Sequence, residues 1–213
     1  MANNKIRIML VDDHTVVRNG VRLMLSSELD IAVEGEAANA QDALALVRER
    51  QFDVALVDIA MPGKNGLDLL RLLRTEQPKL AVLILSTYSE EVYAVRALKL
   101  GAAGYLTKDS PAAVLIAAVR KAAAGGKYVS QALTEKIAGM LGGAGAASHE
   151  ELSNRELEVL KMIAAGESLV KIAETLHLSP NTVTTYRTRI LEKMGMTSNA
   201  ELTRYAIENG LLI

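Results

Sequence analysis

The sequence predicts an α/β protein, a doubly wound parallel sheet of five βα units, followed by a small all-α domain of four helices. Two observations carry this. Over the first part of the chain, short aliphatic runs alternate with amphipathic stretches at helical period, the pattern of a parallel sheet covered by helices on both faces. Beyond residue 150 no strand pattern remains, and helical stretches alone follow.

Strands are expected near 6–11, 31–35, 53–57, 80–85 and 104–106, and helices near 15–28, 39–50, 65–75, 89–99 and 111–124. Ser110-Pro111 offers an N-cap ahead of a proline at the first helical position, and Gly125-Gly126 closes that helix. A short piece near 130–140 leads into the small-residue run Gly139 to Ser148, which buries too little side-chain surface to hold one conformation and reads as a flexible linker. The four later helices fall near 154–165, 169–176, 180–194 and 198–209. Ser153 stands in capping-box spacing with Glu156, Ser179 precedes Pro180, and Ser198 precedes the last helix; Gly166 and Gly195 sit at helix ends. The expected organisation is a first domain over 1–126, a linker over 127–150 and a second domain over 151–213.

Composition narrows the function. Half of the 213 residues are hydrophobic, yet Phe52 is the only phenylalanine and tryptophan is absent, a poor supply for an aromatic ligand pocket. No cysteine is present, which excludes disulfides and thiolate zinc sites. The start of the chain lacks a signal peptide's apolar region and no run approaches the ~20 apolar residues of a membrane span, so a cytoplasmic protein is expected. His14, His149 and His177 are scattered, so no histidine metal site is expected. The net charge is −1, and from Glu150 onward nine acids face seven bases, so any nucleic-acid contact must come from a local patch. Lys171, Arg187, Arg189 and Lys193 supply one, opposed only by Glu174 and Glu192.

The informative residues stand at the expected strand ends. Asp12 and Asp13 follow Ile8-Met9-Leu10-Val11, Asp58 follows Val54-Ala55-Leu56-Val57, Ser86 follows Val82-Leu83-Ile84-Leu85, and Lys108 lies just past Gly104-Tyr105-Leu106. Carboxyl ends of parallel strands converge on one crevice, so these side chains can meet there. Phosphoryl transfer to a carboxylate needs positioning and charge stabilisation more than covalent chemistry. Asp12 and Asp13 can ligate a magnesium ion, Asp58 can be ligand and nucleophile, Lys108 can balance the incoming charge, and Ser86 can donate to a phosphoryl oxygen.

Residues 5–125 resemble the receiver domain of two-component response regulators in Val11-Asp12-Asp13-His14, the segment from Val57-Asp58 through Met61-Pro62 to Gly66, Leu85-Ser86-Thr87, and Gly104-Tyr105-Leu106-Thr107-Lys108. The resemblance implies Asp58 as the phosphorylation site, with Asp12, Asp13, Asp58 and the Ala60 carbonyl around Mg2+ (or Mn2+). It also implies that Lys108 contacts the phosphoryl group and that Ser86 and Tyr105 form the switch. Asp109 follows Lys108 where many receivers carry proline, so a cis peptide is not expected there. In family terms Ala60 and Tyr88 flank the crevice, Ala60 leaving the approach open and Tyr88 partly shielding it.

In the second domain, Val183, Ile190, Leu191 and Met194 form an apolar stripe, and Asn181, Thr184, Thr185 and Thr188 share the opposite face. Short polar side chains flanked by bases suit a helix lying in the major groove. The segments Leu152 to Leu160, Lys171-Ile172-Ala173, Leu178-Ser179, Thr182-Val183 and Ile190 to Met194 resemble a LuxR-type helix-turn-helix, and the whole chain resembles the NarL/FixJ class of response regulators. At matching positions the resemblance implies Thr184, Thr185 and Thr188 towards the groove and Lys171, Thr182 and Arg187 towards phosphates. Tyr186 stands where many members have histidine.

The expected function is a phosphorylation-dependent DNA-binding transcription regulator, not an enzyme beyond its own phosphoacceptor and autodephosphorylation chemistry. Its expected partners are a sensor histidine kinase or small phosphodonor, double-stranded promoter DNA and, when active, a second copy of itself, with no membrane. An aspartate-nucleophile phosphatase would need a second acid two residues past Asp58, where Ala60 stands. A ligand-gated regulator would need the aromatic cavity the composition lacks. A regulator working without phosphorylation would not need all of Asp12, Asp13, Asp58 and Lys108.

Overall fold

A computed structural model describes residues 5–61, 65–88, 90–141 and 149–212. The chain divides into two compact units, Met1–Leu141 and Gly142–Ile213.

The first unit is a five-stranded sheet in the order β2-β1-β3-β4-β5, every neighbouring pair parallel. Its strands are β1 (Ile6–Val11), β2 (Ile31–Ala37), β3 (Val54–Val57), β4 (Ala81–Ser86) and β5 (Gly104–Thr107). Between and after them run α1 (Thr15–Ser26), α2 (Ala40–Glu49), α3 (Gly66–Glu76), α4 (Glu90–Lys99) and α5 (Ala112–Ala123). Strand side chains alternate between faces. Ile8, Leu10, Val54, Leu56, Leu83, Leu85 and Leu106 join Val21 and Leu25 of α1 and Leu115, Ile116 and Val119 of α5 in one core cluster. The intervening Met9, Val11, Ala55, Val57, Val82, Ile84 and Tyr105 are equally buried under the opposite layer, where α2, α3 and α4 contact β1, β4 and β5. Each large aliphatic side chain so buried contributes about 1.5–3 kcal/mol, so the central strands hold the positions of whatever follows them.

Local capping matches the sequence with one shift. Asn39 and Asn65 accept hydrogen bonds from Asp42 N and Leu67 N at the starts of α2 and α3. At α5 the N-cap is Pro111, not Ser110: the proline keeps an extended ψ of 145° and its carbonyl accepts from Leu115 N. Ser110 Oγ turns instead to Thr107 Oγ1 at 3.2 Å.

Part of the expected linker belongs to the first unit. Tyr128 N donates to Ala103 O at 2.7 Å, and residues Gln131–Leu141 form α6, which packs on α4. Ser130 Oγ caps α6 at Leu133 N and donates to Glu90 Oε2 at 2.8 Å. The small-residue run from Gly139 lacks apolar bulk, the mark of a linker, yet its first residues complete this helix; 142–148 lie outside the described residues.

The second unit holds a 3-10 turn at His149–Glu151 and helices α7 (Asn154–Ala164), α8 (Leu169–Leu176), α9 (Pro180–Met194) and α10 (Asn199–Glu208). Ser153 and Glu156 form the predicted capping box, and Ser168, Ser179 and Ser198 cap the other three helices. Gly195 ends α9 at φ 62°, a left-handed backbone that costs a glycine little. His177 adopts φ 53° at the turn between α8 and α9 without that advantage. Leu157, Leu160, Ile172, Val183, Ile190, Leu202 and Leu211, all buried, are the core of this unit.

Candidate functional site

β1 and β3 are neighbours in the sheet, with Val11 paired to Val57, although the chain passes through β2 between them. A crevice opens where the connections from adjacent strands diverge. Asp58 N donates to Val11 O at 2.8 Å, so the residues one step further on, Asp12 and Asp58, emerge side by side. Ser86 ends β4, and Lys108 follows β5 with its backbone N on Ser86 O at 2.9 Å. The four predicted strand-end positions therefore meet in one crevice.

Lys108 Nζ lies 2.7 Å from Asp12 Oδ2 and 2.7 Å from Asp58 Oδ2. All three side chains are largely withdrawn from water, Asp58 with only 1% of its side chain exposed. Burial pushes the Asp58 carboxyl above the usual carboxylate range; the Lys108 ammonium pulls it back only in part, and the Asp12 carboxylate adds to the rise. For Lys108, burial disfavours the ammonium, but its bonds to Asp12 and Asp58 prevail and hold its pKa above the ordinary lysine value.

Three acids thus face one ammonium, and two of their oxygens, Asp13 Oδ1 and Asp58 Oδ1, are buried without a hydrogen-bond partner. Buried oxygens left unpaired are costly unless a ligand satisfies them. Oxygen donors with surplus negative charge fit a hard divalent cation, and ligand atoms of Asp12, Asp13, His14 and Asp58 lie within 4.8 Å of one another. The acidic cluster has the donor set that a divalent-metal site requires. Ala60 is half-buried two residues past Asp58. Residues 62–64 of the motif lie outside the described residues.

Ser86 is fully buried, and its Oγ accepts from Tyr88 N at 3.4 Å. Tyr105 OH donates to Tyr88 O at 2.8 Å, and burial pushes this phenol far above its usual range. Ser86 and Tyr105 are therefore linked through the backbone of one residue, Tyr88. The Tyr88 ring, read as a shield, stacks on buried Tyr93 of α4 with ring centres 5.0 Å apart. Among the described residues no peptide is cis.

One group at this site lies outside every motif of the sequence. Arg18, one turn into α1, reaches back to the Asp12 carbonyl and pairs with Glu36 of β2. His14, the last residue of the Val11-Asp12-Asp13-His14 motif, stands at the start of α1 and turns its ring onto the acids, with Nδ1 2.9 Å from Asp13 Oδ1.

In the second unit, Thr184, Thr185 and Thr188 share the exposed face of α9, and Lys171 is exposed on α8. Each of these threonine hydroxyls donates to the carbonyl four residues back, at 3.0, 3.0 and 3.2 Å. Their outward surfaces are methyl groups and lone pairs. Thr182 is occupied in the cap, its Oγ1 2.8 Å from Ser179 Oγ. Arg187 Nε donates to Asn199 Oδ1 at 2.6 Å. Lys193, grouped with the basic patch from sequence, is instead 2.7 Å from the nearly buried Glu156 and ties α9 to the start of α7. Burial pushes the Glu156 carboxyl up, but Lys193 and the Ser153 bonds outweigh it and hold it below the usual range. His149 is likewise structural, its Nδ1 3.0 Å from Tyr205 OH with the rings edge to face. No helix among the described residues is long and apolar enough to cross a membrane.

Comparison with known proteins follows the same division. Residues 8–120 match the family model for the response regulator receiver domain, and residues 150–206 match that for bacterial regulatory proteins of the luxR family. The response regulator GacA of Pseudomonas aeruginosa is 36% identical over 211 residues, covering 97% of this chain and 98% of that protein. The response regulator UvrY of Escherichia coli K12 is 34% identical over 210 residues, covering 97% and 95%. Among solved structures, RcsB from Salmonella enterica serovar Typhimurium, bound to promoter rprA in the presence of phosphomimetic BeF3−, aligns with a TM-score of 0.69 at 25% identity, covering 95% of this chain and 98% of that one.

Proposed function

The chain belongs to the two-component response regulators of the NarL/FixJ class, which join a receiver domain to a LuxR-family helix-turn-helix domain, and we propose that it controls transcription through phosphorylation of Asp58. The observation that carries the reading is the Asp58 carboxylate, buried with one oxygen on Lys108 and the other unpartnered.

Asp58 Oδ1 attacks the phosphorus of a phosphohistidine in a sensor histidine kinase, or of a small acyl phosphate. The new O–P bond forms as the bond from phosphorus to the donor's nitrogen or oxygen breaks, and that atom leaves with the electron pair. Lys108 is close enough to follow the charge onto the phosphoryl oxygens. Asp12, Asp13 and Asp58, with the Ala60 carbonyl, would hold Mg2+ or Mn2+, which when bound neutralises charge on the transferring group. Ser86 Oγ would exchange its Tyr88 contact for a phosphoryl oxygen, and Tyr105, bonded to the same residue, would respond. The chain turns over no external substrate in this reading; water releases its own phosphate.

The output is promoter DNA, bound by a homodimer in the cytoplasm. The RcsB relative is bound to a promoter, and α9 here offers the small polar face that groove contact needs. Thr184, Thr185 and Thr188 would meet base edges, while Lys171, Thr182 and Arg187 would meet phosphates. Two-fold-related half-sites would match a symmetric dimer.

The test is capture of genomic DNA fragments by the full chain with acetyl phosphate and Mg2+, beside Asp58→Asn. Specific fragments should be enriched by the treated wild type above the variant. Equal enrichment by both would argue against phosphorylation control, and no enrichment by either would argue against DNA output.

A further inference from the structure

We propose that His14 is a nitrogen ligand of the acidic site, so that the site takes a first-row transition ion, Mn2+ through Zn2+, by three carboxylates and one imidazole. This rests on the metal reading above and extends it to a residue that the receiver pattern does not assign.

The geometry gathers ligand atoms of Asp12, Asp13, His14 and Asp58 within 4.8 Å of one another. His14 Nδ1 stands 2.9 Å from Asp13 Oδ1 and 3.3 Å from Asp12 Oδ1. Ligand atoms on adjacent vertices around an ion with ~2.1 Å bonds lie roughly 3 Å apart. The 2.9 Å contact with Asp13 does not align as a hydrogen bond, since Asp13 Oδ1 remains without a partner. Independently, Asp58 Oδ1 belongs to a side chain 99% buried and has no hydrogen-bond partner, although Lys108 holds the other oxygen of the same carboxylate.

The His14 ring is already directed at the acids, its Nδ1 hydrogen-bonded to Asp12 Oδ1 at 3.3 Å. The residue occupies the N-cap of α1 yet makes no capping hydrogen bond with its side chain. Its backbone N donates to Asp12 Oδ1 at 2.8 Å, which fixes the main chain and turns the ring towards the acids. The side chain is 63% exposed, so small rotations cost no packing.

The chemistry decides which ions gain. Mg2+ takes oxygen ligands and keeps water in preference to imidazole, whereas Mn2+, Co2+, Ni2+ and Zn2+ accept imidazole nitrogen. His14 therefore adds affinity for transition ions and little for Mg2+.

The test uses the full chain, His14→Ala and Asp12→Asn. Mn2+ is bound and read by electron spin-echo modulation for directly coordinated nitrogen, and Ni2+ and Mg2+ affinities are measured by titration calorimetry. The expected results are nitrogen modulation in wild type that disappears in His14→Ala, Ni2+ binding weakened about tenfold or more by that change, and Mg2+ affinity altered less than about twofold. Asp12→Asn should abolish the bound Mn2+ signal. Mn2+ bound without nitrogen modulation, or modulation unchanged in His14→Ala, would overturn the proposal. Phosphorylation of His14→Ala by acetyl phosphate in Mg2+ separates the two readings: if it persists, the phosphoacceptor site stands whatever His14 does.

Discussion

Gly66 abuts the Asp58 backbone so closely that a Cβ at residue 66 would stand 1.9 Å from the Asp58 carbonyl oxygen. Gly66 N also donates to Ile59 O at 3.0 Å, so the start of α3 is pinned against the loop that carries the phosphoacceptor. The contact is with main chain, and no side-chain rotation can relieve it. Gly66→Ala should therefore cost at least the ~1–3 kcal/mol of ordinary overpacking and move Asp58. Urea unfolding of the first unit, with the rate of labelling by acetyl phosphate, checks both. Wild-type stability and rate together would show that the loop yields freely.

Asp58 carries a stability cost with a defined pH dependence. Its folded-state pKa lies above the unfolded 3.8, because burial outweighs Lys108. Ionising it therefore opposes folding: the opposition is absent below 3.8, grows as pH rises from there and is complete above the folded value. Asp58→Asn should melt higher than wild type at pH 7 in chelator, with the advantage vanishing below about pH 4. Calorimetric scans across pH decide this, and a lower Tm for the variant at pH 7 would contradict it.

The opposite sign holds in the second unit. Glu156 has a pKa below the unfolded 4.5, and its bonds to Lys193 and Ser153 N stabilise the domain fully above that value. The stabilisation is lost as pH falls through the folded value. Glu156→Gln should cost about 1–3 kcal/mol at neutral pH and flatten the acid branch of the second unit's stability curve. An unchanged acid branch would remove Glu156 from the account.

On DNA, the hydroxyl protons of Thr184, Thr185 and Thr188 are spent on the helix backbone. Their readout is then methyl contact and acceptance, weaker than bidentate pairing. Thr184→Val should change affinity for a cognate site by less than about 1 kcal/mol. Lys171→Ala should weaken cognate and scrambled DNA alike and lower the salt slope by about 1. Binding isotherms at several salt concentrations separate these outcomes, and a selective loss in Lys171→Ala would reassign that residue to base readout.

The elements of both units were legible because β3, β4 and most of β1 are buried on both faces, which leaves aliphatic runs, and because the second unit's helices begin at Ser-capped starts. The convergence of Asp12, Asp58, Ser86 and Lys108 was legible because strand ends are set by those same runs. What stayed hidden depends on contacts distant in sequence. Lys193 looked like part of a basic patch until Glu156, 37 residues earlier, claimed it. Helix α6 looked like linker because its docking partner is α4, not its own sequence neighbours.

The most direct test is intact-mass spectrometry of the full chain after incubation with acetyl phosphate and Mg2+, with peptide mapping and Asp58→Asn alongside. Wild type should gain a single phosphoryl group that maps to Asp58 and is lost when the divalent ion is chelated beforehand, and the variant should gain none. An unmodified wild type, or equal modification of Asp58→Asn, would contradict the account at its centre.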